Sequence, residues 1–130
     1  MIVIDASALV ELLLRTERAE AVADLAFGTD EPLHAPELLD IEVAQALRRL
    51  VLLKQITVSR ASDALADHAQ YAIERYPHLP LLNRIWELRD TVTAYDAAYV
   101  ALAEAADAPL VTCDRKLAGA PGHHAQVVLI

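Results

Sequence analysis

Asp5, Glu42, Asp96 and Asp114 are carboxylates placed where regular elements begin or end. In an open α/β fold those places converge on the crevice outside the carboxyl ends of the strands. Oxygen donors gathered there suit a hard divalent cation, Mg2+ or Mn2+, held by a few carboxylates with water and phosphate oxygens completing the shell. A pair of such ions ~4 Å apart clamps a phosphodiester, one activating water and the other stabilising the leaving oxygen. Ser7 and Thr112 lie close by in sequence and are candidates to orient a carboxylate or a water, although hydroxyls at such places also serve as helix caps.

The acids owe their expected positions to a short list of elements. Ile2, Val3 and Ile4 form an apolar run with Asp5 at its carboxyl end, just before a helix over Ser7–Leu14. Leu110, Val111 and Thr112 repeat the pattern, with Asp114 following after Cys113. Between them the reading gives a second helix over Glu17–Ala26, a short strand at Leu33–Ala35 and a long helix opened by Pro36 and running through Leu53. A further helix is capped by Ser59 and runs to about Ile73; Tyr76–Leu81 reads as a connection, Leu82 to about Asp90 as helix, and Thr93 starts another. A last strand covers Gln126–Leu129. Strands separated by helices imply a mainly parallel sheet of about four to five short strands covered on both faces, in one domain over residues 1–130.

Each acid also has a plainer reading. On the long helix the core stripe is Leu39, Val43, Ala46, Leu50 and Leu53. Glu42 borders it at about 60° from Leu39, at ~100° per residue, and Arg49 stands along the same side as an alternative partner. Glu37 projects to the far side, and Asp40 sits on the opposite margin. Asp96 falls three residues after Thr93, where it can close a capping box; Asp5 and Asp114 can cap the helices that follow them. The joint pattern, not any single acid, carries the metal reading.

The composition narrows the classes. A chain of 130 residues with 55% hydrophobic but only 5% aromatic residues builds its core from Ala, Leu, Val and Ile. That apolar share exceeds the usual ~45–50% and points to a buried subunit interface. A net charge of −8 argues against a protein that coats nucleic acid through a broad basic surface, while leaving a metal-dependent nucleic-acid enzyme open, since two divalent ions would cancel four of the charges. Arg115 and Lys116 directly follow Asp114 and are candidates for a phosphate contact. No apolar run reaches the ~20 residues of a membrane span and the N-terminus lacks a secretory pattern, so a cytoplasmic protein is expected. Three glycines are too few for a phosphate-cradling loop, and the lone Cys113 makes no disulfide framework. His123 and His124 read as solvated loop residues, Trp86 as a core or dimer contact, and His34, His68 and His78 form no constellation.

The chain resembles the PIN-domain ribonucleases, and within them the VapC-type toxins of bacterial toxin–antitoxin pairs. The resemblance is carried by Ile-Asp-Ala-Ser at Ile4–Ser7, the lone Glu42, Thr-Ala-Tyr-Asp at Thr93–Asp96 and Val-Thr-Cys-Asp-Arg-Lys-Leu at Val111–Leu117. It implies a three-layer α/β/α sandwich and Mg2+- or Mn2+-dependent endonucleolytic cleavage of RNA at a site made by Asp5, Glu42, Asp96 and Asp114. It also implies a homodimer, inhibition by a cognate antitoxin whose carboxyl-terminal segment wraps the toxin, and a larger complex of the two. Two other classes stand beside it. A receiver-type signalling domain also gathers acids around Mg2+, but it places adjacent acids after the first strand, where this chain has Asp5, Ala6 and Ser7. A catalytically silent PIN-fold interaction protein would keep the fold and bind metal without cleaving RNA.

Overall fold

In the computed structural model, which describes residues 1–130, five strands form one sheet: β1 (Ile2–Ile4), β2 (Leu33–Pro36), β3 (Ile73–Tyr76), β4 (Leu110–Thr112) and β5 (Val127–Leu129). Their order is β3-β2-β1-β4-β5 and every pairing is parallel. The connections therefore run outward from β1 in one direction and from β4 in the other, which puts the switch point between β1 and β4. A receiver domain has the order 2-1-3-4-5, so the topology separates this chain from that class.

The central strands are apolar on both sides because both faces are covered: Val3, Ile4, Leu110 and Val111 are all buried. On one side α1 (Ala6–Leu13), α2 (Ala19–Ala26), α3 (Leu39–Leu52) and α4 (Val58–His68) pack against one another. Against β1, β2 and β4 lies α6 (Ala94–Ala106), supported by a short α5 (Leu82–Glu87). Ala97 to Ala103 are buried without interruption; small side chains let this helix sit close on the sheet. A one-turn helix, α7 (Arg115–Ala118), joins β4 to β5. One cluster of 28 buried residues links the layers.

The expected three-layer, parallel architecture is present, with local corrections. Pro36 ends β2, in register with Tyr76 of β3, instead of opening α3. A proline biases the residue before it towards extended backbone, so Ala35 and Pro36 stay in the strand. The chain turns at Glu37 and Leu38, and the Leu38 N–H, left without a helical partner, donates to His78 Nε2 at 3.0 Å. Helix α4 is capped by Thr57, whose hydroxyl accepts from Arg60 N at 3.0 Å, and not by Ser59. It stops at His68, because Ile73–Tyr76, read as helix end and connection, is the edge strand β3. Its polar Glu74 and Arg75 suit an edge, where charge blocks pairing with another chain.

Candidate active site

Asp5 and Asp114 approach from the two strands that flank the switch point, and two hydroxyls tie them together. Ser7 Oγ donates to Asp5 Oδ1 at 2.6 Å and accepts from Cys113 N at 2.9 Å. Thr112 Oγ1 donates to Asp5 Oδ2 and accepts from Asp114 N at 2.9 Å. Each hydroxyl thus takes one bond from the loop after β4 and gives its proton to the carboxylate at the end of β1. Asp5 is also the cap of α1, accepting from Ala8 N at 3.0 Å. Asp114 caps α7 through Lys116 N at 2.8 Å and Leu117 N at 3.4 Å. Capping and a place in the crevice coexist in both residues.

Glu42 and Asp96 come from helices on different sides of the sheet. Thr93 caps α6 through Asp96 N at 3.2 Å, while the return bond from the Thr93 N–H to the Asp96 carboxylate is not made; the Thr93 hydroxyl acts on that carboxylate only as the smallest influence on its pKa. Glu42, one turn into α3, accepts a 2.6 Å hydrogen bond at Oε1 from the hydroxyl of Tyr99 on α6. Arg49 is not its partner. Tyr99 was not singled out in the sequence. Its signal there is the single hydroxyl-bearing ring on a run of Ala, Val and Leu, three residues after Asp96 and so on the same helix face.

The electrostatics set these acids apart from the other carboxylates. Asp5, Glu42 and Asp96 are the carboxyl groups whose pKa is raised, in each case chiefly by burial. Neighbouring charge adds to it: Asp114 acts on Asp5 and on Asp96, Asp96 and Asp5 act on Glu42, and Asp5 acts on Asp96. By contrast Glu31, Asp40 and Glu104 are held below the usual range by hydrogen bonds from the N-terminal amine, Arg75 and Arg84 respectively. None of the four site acids has a cation within ion-pair distance; the arginines that pair with carboxylates are Arg75 and Arg84. Burial and repulsion also push the Tyr99 hydroxyl far up, so it stays a proton donor to Glu42.

The donor set fits a hard cation. It consists of carboxylate oxygens lacking counter-charge, and a divalent ion supplies that charge. No three of the groups form a ready-made cage, as suits an ion that takes one or two carboxylates and fills the rest of its shell with water and phosphate oxygen. From Ser7 and Glu42 a groove of about 890 Å³ runs between α1 and α3. Arg18, Gln45, Arg49 and Tyr95 line it, and Arg115 and Lys116, exposed beside Asp114, do not.

Other residues have structural places. His34 Nδ1 lies 2.8 Å from the Tyr76 hydroxyl, and His68 Nε2 lies 2.6 Å from Asp40 Oδ1. Trp86 is 67% exposed, which removes the core reading and leaves the contact one. His123, read as solvated, is partly buried, with both ring nitrogens shielded from solvent.

The family model for the PIN domain matches residues 2–122. Ribonuclease VapC12 of Mycobacterium tuberculosis is 42% identical over 130 residues, covering 100% of this chain and 99% of the relative. Ribonuclease VapC1 of the same organism is 45% identical, covering 98% and 96%. Among solved structures, PAE2754 from Pyrobaculum aerophilum superimposes with a TM-score of 0.70 at 26% identity, covering 97% of this chain and 81% of that one. VapC20 of M. tuberculosis, a Sarcin-Ricin loop cleaving toxin, shares the fold at a TM-score of 0.69 and 16% identity, covering 93% and 97%. With near full-length identity above 40% and the PIN match across almost the whole chain, the protein belongs to the PIN-domain family, among the VapC ribonucleases.

Proposed function

We propose that the protein is a divalent-metal-dependent endoribonuclease, the toxin of a toxin–antitoxin pair, with Asp5, Glu42, Asp96 and Asp114 as its acidic site. The observation that carries this reading is the electrostatic state of Asp5, Glu42 and Asp96: a buried and two partly buried carboxylates whose pKa values are raised by desolvation and by one another's charge, with no cation of the protein's own in ion-pair contact. Mg2+ or Mn2+ bound there supplies charge neutralisation at the phosphate and lowers the pKa of water.

The chain's own residues do the rest. Asp5, held on both oxygens by Ser7, Thr112 and Ala8, is the fixed ligand. Asp96, free of backbone hydrogen bonds, and Glu42 adapt to the ion and to the scissile phosphate, and a carboxylate among them takes the proton of the attacking water. Asp114 closes the site from β4. Arg18 and Arg49 take RNA phosphates along the groove, with Arg115 and Lys116 reaching a phosphate beside Asp114. The partners that complete this reading are an antitoxin segment that covers the site and a second copy of the chain, through exposed apolar residues such as Leu79, Leu82 and Trp86; toxin and antitoxin together make the larger complex.

Incubation of the purified protein with total RNA and Mg2+ or Mn2+ tests the reaction. Site-selective cleavage that is abolished by chelator and by Asp5→Asn, in a protein that remains folded, is expected. Metal binding without cleavage of any RNA would favour the silent interaction protein, and cleavage by the Asp5→Asn variant would remove this residue from the site.

A further inference from the structure

Glu42 and Asp96 stand on helices from opposite layers, and a backbone path of more than fifty residues separates them. The direct link between them is Tyr99. It sits one turn after Asp96 on α6, is 1% exposed, and crosses to α3 with its hydroxyl 2.6 Å from Glu42 Oε1. It is among the largest fully buried side chains in the molecule, so its ring is held by the close packing of the core. We propose that Tyr99 is a positioning residue for the metal site: a rigid strut that fixes the Glu42 carboxylate by one oxygen, Oε1, and leaves the other free of any protein hydrogen bond.

A glutamate has three side-chain torsions, and ordering such a chain costs conformational entropy. Glu42 is only partly buried and has no cation to hold it, and the neighbouring carboxylates repel it. Without a donor it would turn outward into the groove. The Tyr99 hydroxyl opposes that motion before the ion arrives, so the ordering cost falls on folding and not on metal binding. Because Tyr99 and Asp96 share a helix face, the strut also sets the spacing between Glu42 and Asp96 through one rigid element. The assignment rests on the proposed metal site.

Titration of the full chain with Mn2+ by calorimetry tests it, with Tyr99→Phe, Glu42→Gln and the double variant compared with wild type. Partners of metal ligands are typically worth 10–100-fold in affinity, so Tyr99→Phe should weaken Mn2+ binding about tenfold while melting cooperatively in chelator. The double variant should bind no more weakly than Glu42→Gln alone, since the strut then has no carboxylate to hold. Tyr76→Phe, which removes a hydroxyl bonded to His34 and Glu74 and to none of the four site acids, controls for loss of a tyrosine hydroxyl and should bind as wild type does. Unchanged Mn2+ affinity in Tyr99→Phe would overturn the assignment, and so would an equal further loss in the Glu42→Gln background, which would mark an effect through packing. If Tyr99→Phe does not fold, the Glu42→Asp variant replaces it: shortening the side chain withdraws it from the hydroxyl and should weaken Mn2+ binding about tenfold, and wild-type affinity there would overturn the strut. A wild type that binds no Mn2+ would overturn the metal site itself and the strut with it.

Discussion

At the scale of single residues the acids divide by the sign of their perturbation. Asp5, Glu42 and Asp96 have pKa values raised above the ordinary 3.8 or 4.5, so the folded chain binds protons there more tightly than the unfolded one. Their contribution therefore favours folding at acid pH and declines as pH rises through the raised values. Without metal, neutral pH is where they oppose folding most. Removing one charge relieves this: Asp96→Asn in chelator is expected to raise the melting temperature at pH 7 by a few degrees, and the gain should shrink towards pH 4. A lower melting temperature at pH 7 would show that Asp96 stabilises the fold and is not a charge held in waiting. Asp96 is the cleaner position because no backbone N–H depends on its carboxylate, whereas Asp5 caps α1. The places of Asp5, Asp96 and Asp114 were legible in the sequence because strand ends and helix starts are local signals, and that of Glu42 because it borders the apolar stripe of α3. Tyr99 was not, since its role depends on which helix it reaches across the sheet.

At the scale of elements, hydrogen bonds from polar side chains hold helix and loop together where the core does not. Arg84 on α5 donates to Glu104 on α6 at 2.7 and 3.0 Å, and Glu104 also accepts from His124 N at 2.7 Å. Glu104 is held below its ordinary 4.5, first by the Arg84 hydrogen bonds. Its contribution is thus fully present above pH ~4.5 and is lost as pH falls through the depressed value. Glu104→Gln should cost about 1 kcal/mol near neutrality, less than a fully buried charge-assisted bond because both partners keep some contact with water. Melting curves between pH 6 and pH 3 should show variant and wild type converging in acid; a constant gap would assign the loss to packing. Elements with a local signature were readable in sequence: β1, β4 and the Thr93 cap fall where their residues place them. Strand β3 was not, because a four-residue edge strand with two charged residues carries little apolar alternation. Pro36 misled for a related reason, as proline at a first helical turn and proline at a strand end look alike until the neighbouring strand is known.

At the scale of the whole molecule, a chain of net charge −8 must bring a polyanion to an acidic crevice. Arg18 and Arg49 along the groove are the cations placed to help. With a short single-stranded RNA and the non-cleaving Asp5→Asn protein, Arg49→Gln should reduce the slope of log affinity against log salt by about 0.7, one phosphate contact on a single strand. An unchanged slope would take Arg49 out of the RNA path. For the proposed homodimer, Trp86→Arg is expected to shift the sedimenting mass from dimer towards monomer; an unchanged dimer mass would move the contact away from Trp86, and a wild type that sediments as a monomer would remove the dimer. The fold class was readable because alternating strand and helix admits few topologies; the groove was not, since it exists only once α1 and α3 lie side by side. Whether the acids hold an ion decides the proposed activity. Thermal melting of wild type and Asp96→Asn with and without Mn2+ asks this directly. A rise with Mn2+ in wild type that is largely lost in Asp96→Asn is predicted; an equal rise in both proteins, or none in a wild type that cleaves RNA, would contradict it.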